Sequence, residues 1–421
     1  MVRLSGRTVS TALLGIVLAG CGGGGGDINP PGATAPTVVV QPLPLPGPYA
    51  VGCSNVSQDF SRVGSGEDAQ SYWDGRPTAD GSPRYVTDLL ADPEDTLMAT
   101  VTAPNDTNLY GSFAGQDVPF VVIACYPTTA DNPRPDYPLP SGDNVPHMQT
   151  GPEAPLFADS SARYPVIAFS HGYGGNPISG AYLSGIATFA SYGYVVIAPF
   201  HGDRRFTDLS INDFGDAITL LSHLSDFTAL QAVRPLSISA ALDLVLARPE
   251  WQGHVDTTQI GGFGASMGGE TMMLLGGAGL TSSYPGLSWS QVTHDPRIKA
   301  AVGYVPYFGQ PFLPAFGDDQ HGLDGIGLPF LGISGTADTV APILEVEIGM
   351  SRLAGTRELV ALAGVQHGFD VASTNDIFTW TLTFLDGEVR GNPAAKMQLS
   401  TMASVAGGGD DSVVIYYNGL P

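Results

Sequence analysis

A serine hydroxyl is a weak nucleophile until a base takes its proton, and the base works only when a third group holds its ring in one tautomer. The chain offers one place where such a set can be assembled. Gly264-Ala-Ser266-Met-Gly268 is a G-x-S-x-G pentapeptide directly after the apolar run Gln259 to Phe263 and before a helical stretch. A serine on a sharp strand-to-helix turn needs neighbours two positions away on each side that lack side chains, because strand and helix close on them. The turn also sets the hydroxyl at a helix N-terminus, whose free amides favour developing negative charge. The partners of such a serine follow in the order acid, then histidine. Of the eight histidines only His367 lies beyond the apolar run Leu328 to Ile333, in Gly364-Val-Gln-His-Gly-Phe-Asp370. The acid expected just past the end of that run is Asp338, in Ser334-Gly-Thr-Ala-Asp338-Thr-Val-Ala-Pro342. Asp318, Asp319, Asp324 and Asp370 compete with it; if one of them is the acid, Asp338 merely caps the following helix.

Acyl chemistry also needs two amides for the oxyanion. One follows the nucleophile, at Met267. The other belongs to Ser170-His171-Gly172-Tyr173-Gly174-Gly175, where the glycines let the backbone approach a substrate closely. Tyr173 is the expected donor and Gly172 the near alternative. His171 reads as orienting this loop, and His201 and Asp203 as tying down a strand end. No His, Cys and Glu residues stand at metal-ligand spacing, and no G-x-G-x-x-G opens a crossover, so neither a metal nor a cofactor is expected.

These residues must be carried by strand ends. Tyr164 to Phe169, Tyr194 to Ala198, Gln259 to Phe263, Ile298 to Tyr304, Leu328 to Ile333 and Leu359 to Leu362 are short apolar runs of the kind buried on both faces of a parallel sheet. Helical stretches at Leu183 to Ser191 and Leu236 to Ala247 alternate with them, which predicts an α/β sheet with right-handed crossovers. Upstream, Asp95 to Ala103 and Val118 to Tyr126 predict a hairpin. Tyr49 to Gln70 and the Pro-rich Thr128 to Pro155 read as loops. Ser412 to Tyr417 reads as an edge strand in an extension that follows Gly391.

The 421 residues are 43% hydrophobic, enough for a core without metal or disulfide support. Seventeen Lys and Arg face 40 Asp and Glu, a net charge of −23 that repels nucleic acids and anionic lipid headgroups. At the N-terminus, Arg3 and Arg7 precede the apolar run Thr11 to Ala19, too short to span a bilayer, and then Gly20-Cys21. Leu18-Ala-Gly-Cys21 resembles a bacterial lipobox, in which Cys21 would carry the lipid anchor. Residues 1–20 then form the signal, 21–50 a Gly- and Pro-rich tether, 51–390 the catalytic domain and 391–421 an extension packed on it. The implied setting is export to the outer membrane, with the membrane met only through the anchor. Cys53 and Cys125 either pair or remain buried thiols.

The motifs His171-Gly-Tyr-Gly-Gly175, Gly264-Ala-Ser-Met-Gly268, Gly335-Thr-Ala-Asp338-Thr-Val-Ala-Pro342 and Gln366-His367 resemble those of the α/β-hydrolase superfamily over Asp95 to Leu385. Within it the chain is similar to the branch of dienelactone hydrolases, platelet-activating factor acetylhydrolases and cutinase-like polyester hydrolases. The resemblance implies a three-layer αβα sandwich around a mostly parallel sheet of about eight strands. It implies oxyanion donors at Tyr173 and Met267, and an acyl or aromatic subsite near Tyr307 and Phe308, which are equally readable as core aromatics. There are departures: Ser266 and Asp338 are separated by extra segments near Thr281 to Asp295 and Gln310 to Leu328, and Ala265 stands where many relatives carry His. The expected function is cleavage of carboxylic esters by a monomeric, cofactor-free serine hydrolase. Phospholipid deacetylation, peptidase or acyl-transfer chemistry, and a catalytically idle binding module are the alternatives.

Overall fold

An apolar run with no polar alternation becomes a strand where helices cover both faces of a sheet. The computed structural model of the chain describes residues 28–29, 33–78, 81–207, 223–284, 286–311 and 313–420. The expected signal, the expected acylation site Cys21 and the glycine run 22–26 lie outside the described residues.

The main sheet is built from β1 (Ala50–Cys53), β2 (Met98–Thr102), β3 (Asp117–Thr128), β4 (Tyr164–Ser170), β5 (Val195–Pro199), β6 (Val255–Ala265), β7 (Ile298–Tyr304), β8 (Phe330–Gly335), β9 (Arg357–Leu362) and β10 (Asp411–Ile415). Its order is β10-β9-β8-β7-β6-β4-β5-β3-β1, with β2 on β3. From β9 to β5 all pairings are parallel, and the margins are antiparallel. The architecture is α/β with a largely parallel central sheet, consistent with the α/β-hydrolase fold.

The helices of eight or more residues among the described residues are α1 (Gly180–Ser191), α2 (Leu224–Ala247), α3 (Met267–Leu275), α4 (Ile343–Ser351) and α5 (Thr374–Glu388). Two neighbouring glycines on β6 show the three layers. A Cβ at Gly261 would lie 2.9 Å from Val389 and 3.0 Å from Leu385, beside α5, while one at Gly262 would lie 2.4 Å from the sulfur of Met272 on α3. Successive residues of a strand face opposite sides, so α5 and α3 cover opposite faces. Phe189 of α1 meets Phe378 of α5 at 5.4 Å on the first face.

The sheet has ten strands rather than about eight. The member added in a stretch read as loop is β1, short and marginal, while β10 falls where the edge strand Ser412 to Tyr417 is expected. Strand β1 has no buried-strand pattern of its own and is a strand only through its pairing with a longer neighbour. Helix α2 begins at Leu224, not Leu236, and runs through Pro235. Burial of its flanks outweighs the backbone bond that a proline inside a helix gives up. The Pro-rich Thr128 to Pro155 holds a small ladder of Tyr137–Pro138 with Asn144–Val145.

Within the expected tether, the residues from Thr37 onward are docked. Val38–Val40 pairs in parallel with Met402–Val405, the Leu43 amide donates to Thr379 Oγ1 at 3.1 Å and the Gly47 amide to Ser191 Oγ at 2.8 Å. Pro-rich backbone stays free only where its few amides lack partners, and here they have them.

Cys53 and Cys125 face each other across β1 and β3 and are bonded, closing a separation of 72 residues. On the chain-entropy model a loop of that length stabilises the fold by roughly 4 kcal/mol. The double variant Cys53→Ala/Cys125→Ala should therefore unfold at clearly lower denaturant concentration, the midpoint shift being read by urea titration.

Candidate active site

Ser266 sits between β6 and α3 with φ 53° and ψ −121°, a region that non-glycine residues rarely enter. Its amide donates to the Tyr304 carbonyl at 2.9 Å, and its carbonyl accepts from the amides of Gly269 at 2.8 Å and Tyr307 at 3.0 Å. The flanking glycines are sterically required. A Cβ at Gly264 would stand 2.0 Å from the Gly268 carbonyl oxygen, and one at Gly268 would stand 2.0 Å from that of Ser170.

The serine hydroxyl lies 2.9 Å from His367 Nε2, and His367 Nδ1 lies 2.8 Å from Asp338 Oδ2. An ionised carboxylate only accepts, so Nδ1 carries the hydrogen and Nε2 is left to accept from the serine. Asp338 has no exposed side-chain surface, while a quarter of the His367 side chain is exposed, toward the cavity mouth where a base must reach. The second carboxylate oxygen of Asp338 accepts from the amides of Val340 and Ala341, both at 2.8 Å. The residue therefore holds both the histidine and the turn before α4. Three of the four rival acids are engaged elsewhere, Asp319 and Asp324 with Arg352 and Asp370 with Ser373, and Asp318 is exposed. Tyr304, on β7, steadies the histidine loop by donating to the Gly368 carbonyl at 2.7 Å and accepting from the Asp370 amide at 3.1 Å.

Met267 is the first residue of α3, so its amide belongs to the helix N-terminus. Across from it runs the loop Ser170–Gly175. Gly172 is close enough to Ser266 that a Cβ there would lie 3.3 Å from the serine Cβ, but its amide donates to the Tyr182 hydroxyl at 3.0 Å. The next amide of the loop, at Tyr173, is the other position expected to act with Met267.

Ser266 and His367 open into a cavity of about 370 Å³, walled by Phe169, Tyr182, Phe227, Phe263, Tyr307 and Phe369. That volume suits one acyl chain or ring. Of the two aromatics expected in a subsite, Tyr307 lines the cavity and Phe308 does not. Phe308 is fully buried against Phe316 and Phe330, because leaving β7 turns its ring into the opposite side of the turn. His201 and Asp203 are completely buried and bond protein groups: His201 to Ser170 and Ser237, Asp203 to Arg234.

Tyr182, Tyr304 and Arg234 escaped the sequence reading. Arg234 alone carried a signal, as a lone cation in the apolar stretch of α2. Among the described residues no group of His, Cys, Asp and Glu could hold a metal.

The family model described as platelet-activating factor acetylhydrolase, isoform II, matches residues 149–209. This segment carries β4, the Ser170–Gly175 loop, α1 and β5. It contains none of Ser266, Asp338 and His367. The match supports a serine hydrolase of the lipase or phospholipid acetylhydrolase type. No curated protein matches the chain.

One turn into α3, Glu270 is fully buried and accepts from Gln231 at 2.5 Å. Burial pushes its carboxyl up to about 8, only partly opposed by the charge of Arg234, from an ordinary value of 4.5. Between those values the folded state keeps a proton that the unfolded chain releases, so stability falls as pH rises and levels off above about 8. The slope is at most about 1.4 kcal/mol per pH unit. Glu270→Gln lacks this burden, and its melting temperature should gain on the parent's between pH 5 and 8 and then stay level. A gap constant across that range would show that Glu270 titrates as an ordinary carboxyl.

Proposed function

We propose that the protein is an exported, lipid-anchored serine hydrolase that cleaves carboxylic esters through an acyl-enzyme. The observation that carries the reading is the continuous hydrogen-bonded chain Ser266–His367–Asp338 opening into an aromatic cavity. Ser266 Oγ attacks the ester carbonyl as His367 Nε2 takes its proton, and Asp338 stabilises the imidazolium that forms. The amides of Tyr173 and Met267 receive the tetrahedral oxyanion. Collapse of the intermediate expels the alcohol, which leaves with the proton from His367. A water molecule, deprotonated by the same nitrogen, then attacks the acyl-enzyme and frees the acid and the serine.

Within this class the partial family match favours lipid esters with a short acyl group, phospholipids included, and the apolar cavity suits the acyl part. A polyester is the second reading, supported by the likeness of the Asp338 loop to that of cutinase-like enzymes. An anchor at Cys21 would hold a monomeric enzyme at the outer membrane, and the net charge of −23 disfavours nucleic acids as partners.

With p-nitrophenyl butyrate, Ser266→Ala and His367→Ala should each lower kcat by at least about 10⁴-fold, and Asp338→Asn by about 10⁴-fold through the wrong histidine tautomer. Turnover untouched by Ser266→Ala would exclude the mechanism. Acetyl phospholipids, long-chain esters and a polyester film, assayed side by side, rank the substrates.

A further inference from the structure

The Ser170–Gly175 loop owes its conformation to a fully buried ion pair that the triad chemistry does not use. Arg234, on α2, is 1% exposed and Asp203, just after β5, is 0% exposed. The pairing is bidentate, Nε to Oδ1 at 2.9 Å and Nη2 to Oδ2 at 2.8 Å. Both partners then reach the same loop. Arg234 donates to the carbonyls of His171 at 2.8 Å and Gly172 at 3.1 Å, and Asp203 Oδ2 accepts from the Gly174 amide at 2.8 Å.

The Gly172 carbonyl is pinned by more than the arginine. The Gly175 amide donates to it at 3.1 Å, and His171 Nδ1 lies 2.8 Å away. The His201 amide donates to His171 Nε2 at 3.2 Å, so the hydrogen of this imidazole is on Nδ1 and points at the carbonyl. Burial, with the charge of Arg234, lowers His171 to about 4, which keeps the ring neutral in that tautomer.

In a trans peptide the C=O of one residue and the N–H of the next point in opposite directions within one plane. Holding the Gly172 oxygen toward Arg234 therefore turns the Tyr173 N–H the other way. The next peptide is reversed, since the Gly174 N–H faces Asp203, and Gly174 makes this alternation possible with φ 65°. Removing two charges from water rarely adds net stability over an apolar pair of like volume, which makes stability a poor reason for this one.

We propose that Arg234 and Asp203 are positioning residues that set the Gly172–Tyr173 peptide plane and so aim the Tyr173 amide at the oxyanion, an inference that rests on the serine-hydrolase reading. Neither side chain touches substrate. Their loss removes one oxyanion donor while leaving the cavity and the Ser266–His367–Asp338 chain in place.

The test uses Arg234→Met/Asp203→Leu, which removes both charges at similar volume, and Arg234→Lys, which keeps the charge but lacks the planar fork. Folding is checked by circular dichroism and melting. For the double variant the expected result is a kcat about 10²- to 10³-fold lower with KM within about threefold, the loss of a single oxyanion donor, and Arg234→Lys should fall between it and the parent. The second readout is a trifluoromethyl ketone: Ser266 Oγ adds to its carbonyl carbon, the proton passes to His367, and the former carbonyl oxygen becomes the hemiketal alkoxide. Its Ki should rise by the factor by which kcat/KM falls. A folded double variant with kcat within about threefold of the parent overturns the proposal. So does a fall in kcat with no change in Ki, the mark of a merely structural role. If the double variant does not fold, Arg234→Lys decides on the same two readings. A parent enzyme with no Ser266-dependent turnover and no ketone adduct overturns the serine-hydrolase reading and the proposal with it, an outcome distinct from failure of the variants alone.

Discussion

The backbone of Ser266 is the constraint on which the remaining geometry depends. A non-glycine residue at positive φ costs on the order of 1–3 kcal/mol and persists only where its surroundings leave no alternative. Here they are the ends of three strands and the start of a helix. Gly264 closes on the first turn of α3, Gly268 on the carbonyl of Ser170 at the end of β4, and the Ser266 amide on the carbonyl of Tyr304 at the end of β7. The same packing that raises Ser266 brings the Ser170–Gly175 loop beside it and sends Tyr307 into the cavity wall.

Polarity is divided sharply around this point. One side is an aromatic cavity with few polar groups, where a hydrogen bond to a developing charge is stronger than in water. The other is a buried network of Arg234, Asp203, His171, His201 and Ser170 that is almost wholly self-satisfied. Only 14% of the residues are charged, yet this fully buried pair lies next to the reacting centre.

How much of this could be read beforehand varied with the range of the interaction involved. The six parallel strands appeared in the residues because a strand buried on both faces must be apolar throughout, a property of the segment alone. The pentapeptide around Ser266 was legible for a similar reason: its glycines answer a clash within one turn. His367 followed by elimination, being the one histidine far enough along the chain. By contrast β1 and the docked Val38–Val40 are strands only because of partners distant in sequence. Helix α2 likewise runs through Pro235 because the local cost of that residue is outweighed by burial on every side.

The chain by itself determined the chemistry of the site, since a serine flanked by glycines, a late histidine and an acid past a strand end are residue types at positions, and these need no coordinates. Tertiary structure alone decided which groups are within reach of one another. It separated Tyr307 from the adjacent Phe308, gave Asp338 both a turn and an imidazole to hold, and withdrew the Gly172 amide to Tyr182. It also placed Arg234 behind a loop some sixty positions earlier in the chain. The physical reason is that side-chain identity is local, whereas the direction of a hydrogen bond is settled only when elements far apart in sequence are packed against each other.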